Sequence, residues 1–167
     1  MDIPPGIVVS VQGRTLTVKG PNGLLEKALP QAVEVMVEGS AVTVKTSAKK
    51  QTRPVRAKVN AVVAHLRNMI RGVSTPYEKK LQLVYSHFPV TLDVKPGFIF
   101  IKNFLGEKTP RKANIQGKTT VSVKGQDIVV SGADKEDVGQ TASNLIRATK
   151  ILHRDIRVFQ DGIYYSS

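Results

Sequence analysis

The chain has 167 residues and a mass of 18.2 kDa, which is enough for one ordinary domain or two very small ones. It has no cysteine, which excludes disulfides, thiolate nucleophiles, zinc fingers and iron–sulfur clusters, and no apolar run approaches the roughly 20 residues of a membrane span. Its 25 basic and 13 acidic residues give a net charge of +12, which favours a polyanionic partner over a merely solubilising role for the lysines.

Taken in chain order, the predicted strands and hairpins occur twice. The strand pattern at residues 15–19 recurs at 98–102, with Lys19 and Lys102 standing 83 positions apart. Alternating runs around a glycine, at 35–44 and 121–130, are typical of β-hairpins, and their glycines stand 86 positions apart. Three recurring blocks in one order, counting the helix that follows each hairpin, indicate an internal duplication.

One helix is predicted after each hairpin from apolar residues at three- and four-residue spacing. Thr52 is the predicted N-cap of the first helix, Pro54 lies in its first turn and Gly72 ends it. Asp134 is the predicted N-cap of the second. The apolar stripes consist of Val55, Val59, Val62, Val63, Leu66, Met69 and Ile70 in the first helix, and of Val138, Ala142, Leu145, Ile146 and Thr149 in the second.

A closing strand is predicted after each helix, at 80–85 and at 157–165. This order predicts an α+β fold of two tandem duplicated modules, each a small antiparallel sheet packed against one helix. We place an N-terminal α+β module at 1–82 and a C-terminal α+β module at 83–167.

Residue patterns for catalysis are scarce. The histidines His65, His87 and His153 do not have metal-ligand spacing. The run Gly117-Lys118-Thr119 resembles the end of a phosphate-binding P-loop, but Lys112 stands where that pattern requires glycine. We therefore expect no enzymatic activity, no metal and no cofactor. Membrane binding is also not expected, because the valine-rich face of the first helix is needed for the core.

Basic residues concentrate in two segments and near the C-terminus. The stretch 45–58 contains no acidic residue, and Glu107 is the single acidic residue in the basic stretch 102–118. Because it holds glycine, proline and asparagine, 102–118 is interpreted as a long basic loop that serves as a nucleic-acid arm. With only 5% aromatic residues, phosphate contacts are expected to dominate over base stacking.

The run Asn-Phe-Leu-Gly-Glu-Lys at 103–108, the duplicated halves and the segment 154–164 together resemble the large-subunit ribosomal protein family numbered six. The likeness is to its archaeal form, which the eukaryotic large-subunit protein numbered nine also resembles. The resemblance implies two similar α+β domains that bind large-subunit ribosomal RNA near the sarcin–ricin loop and the stalk base. It further implies neighbouring ribosomal proteins at the stalk base, translational GTPases nearby and a cytoplasmic location on the ribosome.

The resemblance also makes the C-terminal module the main rRNA-binding half, although residues 1–83 are more basic, with 13 cations against 5 acids, than 84–167, with 12 against 8. The rRNA-binding candidates are Lys102, Asn103, Lys108, Arg111, Lys112, Lys118, Arg154 and Arg157, with Lys49, Lys50 and Arg53 as secondary candidates. In the last strand we expect Asp161 and Gly162 to shape a turn, Tyr164 to be buried and Tyr165 to be exposed. The alternative is a free general nucleic-acid-binding or architectural module.

Overall fold

The computed structural model describes residues 3–31, 33–39, 41–46, 52–152 and 154–166. Internal contacts divide the chain into two units, Met1–Pro76 and Tyr77–Ser167, each with its own buried apolar cluster. Both units combine antiparallel strands with one α-helix, which confirms the predicted α+β class. The secondary candidates Lys49 and Lys50 lie outside the described residues, as does His153.

The first unit consists of a three-stranded sheet, a hairpin and one helix. Their bounds are β1 Val8–Gln12, β2 Thr15–Gly20, β3 Gly23–Ala28, β4 Val33–Glu38, β5 Ala41–Thr46 and α1 Arg53–Ser74. The sheet has the order β1-β2-β3, and β4 pairs antiparallel with β5 as the sequence predicts. Gly39 allows the tight turn of this hairpin because its φ is 58°, in the left-handed region.

Helix α1 packs against β2, β3 and β5, and most of the predicted stripe lies in the buried cluster of the first unit. The exceptions are Val55 and Val63, which are half-buried outside the cluster, whereas Val73, which was not predicted, is fully buried in it.

Pro54 lies in the first turn of α1, and Thr52 stands at the N-cap position without a side-chain capping bond. The predicted end at Gly72 is wrong, since the helix continues to Ser74. It stops there because Thr75 precedes a proline, which disfavours the helical conformation, and Thr75 is extended.

The second unit contains two sheets and one helix. Their bounds are β6 Tyr77–Val84, β7 Thr91–Lys95, β8 Phe98–Lys102, β9 Arg111–Asn114, β10 Thr120–Lys124, β11 Asp127–Gly132, α2 Lys135–Ala148 and β12 Gly162–Tyr165. One sheet has the order β7-β8-β9 and the other the order β10-β11-β6-β12. Helix α2 packs against β6, β9, β11 and β12, so both sheets share one core.

Strand β6 belongs to the second unit and not to the first, where the sequence analysis placed it as a closing strand. It lies between β11 and β12, pairing Leu81 with Ile128 and Leu83 with Ile163. All four of these side chains are at most 1% exposed, so the strand is central to the second core. The boundary between the units therefore falls after Pro76, six residues before the position at 82 that the repeat suggests.

The final strand is shorter than the predicted 157–165. Only Gly162–Tyr165 pairs in the sheet, whereas 156–158 form a turn. Asp155 stabilises that turn, since its carbonyl accepts from the N–H groups of Val158 and Phe159 and its carboxylate accepts from that of Arg157. The alternation at 157–165 is thus only partly a strand signal.

Helix α2 begins as predicted. The Asp134 carboxylate accepts a hydrogen bond of 2.8 Å from the backbone N–H of Glu136, which satisfies one unpaired donor of the first turn. The predicted stripe faces the core, with Val138, Ala142 and Leu145 at most 1% exposed. This helix therefore holds the two sheets of the second unit together.

Candidate nucleic-acid interface

The basic segment at 102–118 is not one long loop, as the sequence analysis expects, because a 3-10 turn and a strand lie within it. Phe104–Gly106 form a 3-10 turn in which Phe104 and Leu105 are buried, and β9, which begins five positions after this turn, pairs with β8. Asn103 and Leu105 both have positive φ, 59° and 51°, which turns the chain sharply before β9. The prediction missed β9 because only Ala113 of its four residues is buried, which leaves no apolar alternation to detect.

The outer face of the sheet β7-β8-β9 carries lysines above aromatic rings. Ile99 and Ile101 are fully buried, so the intervening residues of β8 point to the opposite side of the sheet. The register places Lys95 opposite Phe98, and Lys112 opposite Phe100. We call the group the lysine–phenylalanine face, and it consists of Lys95, Phe98, Phe100, Lys102 and Lys112.

Cation–π contacts order this face. The Lys112 ammonium lies 3.4 Å from the ring centroid of Phe98, and the Lys95 ammonium lies 5.4 Å from that of Phe100. Sequence analysis identified Lys102 and Lys112 but missed Lys95, Phe98 and Phe100. The alternation at 98–102 was the available signal, since it already places both rings and Lys102 on one face.

The other rRNA-binding candidates near this face differ in whether their side chains already have a partner within the protein. The Lys102 ammonium forms an exposed ion pair of 3.1 Å with Asp93, which is weak in solvent. The amide of Asn103 donates to the carbonyl of Pro89 at 3.0 Å, so this side chain already has a hydrogen-bond partner within the protein. Lys108 and Lys118 are exposed and have no ion pair among the described residues. These two lysines are available to solvent and to a partner.

Arg111 is bound within the protein. Its guanidinium donates twice to the Glu107 carboxylate, at 2.8 and 2.5 Å, and to the carbonyls of Ala148 and Lys150, each at 3.0 Å. Those carbonyls lie at the C-terminal end of α2, where backbone acceptors lack helical partners and a cation is favoured. Arg111 also lies over the ring of Phe104, at 4.5 Å. This side chain therefore joins the 3-10 turn to α2.

The charge of Glu107 reflects the same contact. Its hydrogen bond from Arg111 lowers the pKa of the Glu107 carboxyl, burial opposes this, and the charges of Arg111 and Arg154 lower it further. The net direction is down, so Glu107 stays ionised at neutral pH. The pair removes one cation from the set available for phosphate.

The two C-terminal candidates are exposed but also have intramolecular partners. Arg157 forms a bidentate pair with Asp155, at 3.1 and 3.0 Å, and its side chain is 87% exposed. The guanidinium of Arg154 lies 5.0 Å from the ring centroid of Phe159. Phe159 in turn stacks on His87, with centroids 4.8 Å apart. These contacts order the segment before β12.

Asp161 is the buried anchor of that segment. It is 1% exposed and accepts hydrogen bonds from the backbone and hydroxyl of Ser86, at 3.1 and 3.0 Å, and from Nδ1 of His87 at 3.1 Å. Burial raises the pKa of Asp161, but the bonds from His87 and Ser86 together lower it below its ordinary value. Asp161 thus fixes the segment after β6 rather than only shaping a turn.

A groove runs from the lysine–phenylalanine face to α2. It has a volume of about 190 Å³ and is lined by Lys112, Asn114, Asn144 and Arg147, among others. The Asn144 amide donates to the carbonyl of Asn114 at 2.9 Å, which fixes the helix against β9. Arg147 was not among the sequence candidates, because its position in the last turn of α2 was interpreted as a favourable interaction with the helix dipole.

In the first unit, Arg53 is the first residue of α1 and is exposed. The first turn of this helix has no acidic residue, although acids are favoured there. Its role as a secondary RNA contact stays a prediction. Within the described ranges, no three histidine or acidic side chains come together as a metal site, and neither helix has the length and apolar character to cross a membrane.

Comparison with known proteins gives the same family twice along the chain. The family model described as Ribosomal protein L6 matches residues 3–75 and 88–162. The chain is 43% identical over 166 residues to a large ribosomal subunit protein uL6 of Methanothrix thermoacetophila, with 98% of this chain and 93% of the relative covered.

Two further archaeal relatives give similar values. The uL6 of Methanosarcina mazei is 45% identical over 98% of this chain and 93% of its own, and the uL6 of Methanocella arvoryzae is 42% identical over 100% and 94%. The matches cover both units and the duplicated architecture accounts for the two matched segments. The chain therefore belongs to the ribosomal protein L6 family.

Proposed function

We propose that this protein is a non-catalytic component of the large ribosomal subunit and binds large-subunit ribosomal RNA. Its relatives are named as large ribosomal subunit proteins, and the observation that carries the binding mode is the lysine–phenylalanine face of the second unit. In this proposal the C-terminal unit is the main rRNA-binding half and the protein works on the cytoplasmic ribosome. It helps the RNA to fold and to keep its shape.

The chemistry of the face suits RNA. Lys95, Lys102 and Lys112 provide separate cations for backbone phosphates, and each contact releases a condensed counterion. Phe98 is 36% exposed, so part of its ring is available to a base or a ribose. Lys108 and Lys118 extend the cationic surface along the chain. Arg111 is left out of this phosphate-binding set because its donors are bound to Glu107 and to α2.

The position on the subunit is part of the proposal. The family resemblance supports a site near the sarcin–ricin loop and the stalk base, with neighbouring ribosomal proteins at the stalk base and translational GTPases nearby. Chemical footprinting of deproteinised large-subunit rRNA tests this: we expect protection concentrated around the sarcin–ricin loop. Protection confined to other regions of the RNA would contradict the proposed position without affecting RNA binding itself.

The salt dependence of binding tests the face. In a variant with Lys95, Lys102 and Lys112 changed to Gln, we expect the log–log salt slope for large-subunit rRNA to fall by about 2 units, because each phosphate contact contributes roughly 0.7–0.9. The matched control changes the exposed Lys19, Lys58 and Lys124 to Gln. It removes the same charge, so equal slopes in the two variants would show that only total charge matters.

Competition separates this function from a general nucleic-acid-binding module. Excess unrelated duplex RNA removes a general binder from large-subunit rRNA in proportion to its phosphate concentration. A ribosomal protein is expected to retain its rRNA under the same conditions. If unrelated duplex RNA displaces the protein from rRNA in proportion to its phosphate concentration, the result supports the general architectural module instead.

A further inference from the structure

The second unit has a larger cavity beside β12, the last strand of the four-stranded sheet. Its volume is about 620 Å³, within the range of small-ligand sites. Helix α2 contributes Ile146 and Arg147, the segment before β12 contributes Ile156 and Phe159, and β12 contributes Tyr164. The cavity therefore combines apolar side chains with cations. Neither the packing of the second unit nor the lysine–phenylalanine face explains this combination.

Tyr164 is held in place although it is exposed, which corrects the expectation that it is buried. The residue is 48% exposed, and its hydroxyl donates to the carbonyl of Gln160 at 3.0 Å. A Cβ at Gly162 would lie 3.3 Å from the Tyr164 ring, so the glycine lets the ring approach the backbone closely. An ordered aromatic ring with one accessible face is a stacking platform for a planar ligand.

Backbone groups of β12 provide a donor and an acceptor beside the cavity. The N–H of Ser166 donates to Lys80, so residues 162, 164 and 166 bond to β6 and the alternate residues point away from it. The outward N–H of Ile163 is taken by the Thr149 hydroxyl at 3.0 Å. By the same register the Ile163 carbonyl and the Tyr165 N–H point away from β6, and both residues line the cavity.

The cavity and the groove beside the lysine–phenylalanine face have one lining residue in common. Arg147 lines both this cavity and the groove that contains Lys112 and Asn114. Lys150 also lines the cavity, so two cations, Arg147 and Lys150, are among its lining residues. A negatively charged backbone that follows these cations would bring its bases to the cavity.

We propose that this cavity holds one unpaired RNA base, stacked on Tyr164, with Arg147 and Lys150 at its phosphates. The Ile163 carbonyl and the Tyr165 N–H meet the polar edge of the base, and Ile156 covers its second face. The inference rests on the proposed rRNA-binding function and adds a specific nucleotide subsite to it. A partner β-strand fits less well, because β12 has four residues and Thr149 already occupies its first outward N–H.

Stacking and phosphate contacts give different signatures in a salt titration. In the full-length chain, Tyr164→Ala is expected to weaken binding to deproteinised large-subunit rRNA roughly 5- to 150-fold, as loss of one stacked base predicts. The slope against salt is expected to stay unchanged, because no cation is lost. Tyr164→Phe keeps the ring and is expected to bind nearly as the unchanged protein does. Val158→Ala is the matched control, since Val158 is 61% exposed on the same segment and does not line the cavity.

A measurement on the unsubstituted protein avoids any effect of a variant on folding. Ultraviolet irradiation of the complex with the same rRNA, followed by nuclease and protease digestion, is expected to leave a nucleotide on the peptide that contains Tyr164 and Tyr165. A crosslink only at Phe98 or Phe100 would overturn the base subsite and leave the proposed function intact. Absence of rRNA binding by the unsubstituted chain would overturn both.

A protein occupant of the cavity is distinguished by side-chain oxidation. Protection of Tyr164 from hydroxyl radicals by rRNA alone supports the subsite. Protection that appears only when other large-subunit proteins are added overturns it, because the cavity then receives a protein segment. Wild-type affinity of Tyr164→Ala for rRNA would overturn it as well.

Discussion

Arg111 and Asp161 are charged side chains whose bonding groups are engaged with their own chain. Arg111 joins the 3-10 turn to the end of α2, and Asp161 joins the start of β12 to Ser86 and His87. In a sequence, an arginine of this kind is indistinguishable from one that binds phosphate, and a buried aspartate is indistinguishable from one on the surface. Their substitution is therefore expected to affect stability before it affects RNA binding.

For Arg111→Gln, we expect the free energy of unfolding to fall by about 1.5–3 kcal/mol, because charge-assisted bonds to Glu107 and to helix carbonyls are lost. Arg111→Lys is expected to recover little, since lysine cannot bridge the same acceptors as a planar fork. Denaturant titration measures both. Lys108→Gln removes an exposed lysine that has no ion pair among the described residues; it is the control and should leave stability within about 0.5 kcal/mol. A lower salt slope with unchanged stability in Arg111→Gln would instead assign Arg111 to RNA.

Because the pKa of Asp161 is lowered in the folded state, the free energy of unfolding depends on pH in the acidic range. The ionised Asp161 stabilises the folded state fully when the pH is above its pKa in the unfolded chain, near the ordinary 3.8. This stabilisation is lost as the pH falls through the lower pKa of the folded state. Asp161→Asn keeps the shape but weakens the bonds from Ser86 and His87, so we expect a loss of about 1–3 kcal/mol at neutral pH. Thermal unfolding between pH 6 and pH 2 is expected to show a smaller acid-induced drop in Tm for this variant. Parallel curves would contradict the assignment.

At the scale of elements, two glycines predict opposite effects of the same substitution. A Cβ at Gly20, in β2, would lie 2.1 Å from Cγ1 of Val73 on α1, whereas a Cβ at Gly139, inside α2, would meet nothing within 4 Å. Gly20 therefore sets the distance between strand and helix in the first unit. Gly139 leaves helix α2 with a residue of low helical propensity.

Accordingly, Gly20→Ala is expected to destabilise the protein by about 1–3 kcal/mol through overpacking against Val73. Gly139→Ala is expected to stabilise it by about 0.5–1 kcal/mol, since alanine is the better helix former and has room there. Chemical denaturation of the two variants beside the unchanged protein gives both values. Changes of the same sign would show that the local fit at one of the two glycines is different from that described.

Elements were predictable where one residue pattern decides them. The α2 stripe and the Asp134 cap are local, and both are confirmed. Strand β9 was not predictable, because burial of Ala113 depends on a pairing with β8 that no local pattern encodes. In the same way, the alternation at 98–102 predicts on which face of the sheet Lys102 lies. It does not predict that Lys95 and Arg147 contribute to the candidate interface, because these two residues belong to other elements.

At the scale of the whole molecule, the repeat and the folded unit have different limits. The repeat suggests that the strand after α1 closes the first module, but β6 pairs with β11 and β12 in the second unit. Repeats identify segments of similar pattern, whereas pairing partners are decided by long-range packing. For this reason the class was predictable from the sequence and the boundary was not.

Fragments test the observed boundary. A fragment of residues 77–167 is expected to unfold cooperatively, because it keeps Leu81 and Leu83 between β11 and β12. A fragment of 83–167 lacks most of β6 and is expected to lack a cooperative transition. Circular dichroism with urea titration measures both. Equal stability of the two fragments would contradict a central role for β6.

The central place of β6 also bears on recombination between relatives. A hybrid gene with its crossover between β6 and β7 would leave β6 from one parent between β11 and β12 from the other. A crossover at Thr75 or Pro76 keeps every strand of each sheet from a single parent. The chain is 43% identical to its Methanothrix relative, so a hybrid of two such parents joins sequences that differ at more than half of their positions. Viable hybrids of this family should therefore carry their crossovers before Tyr77, inside the first repeat.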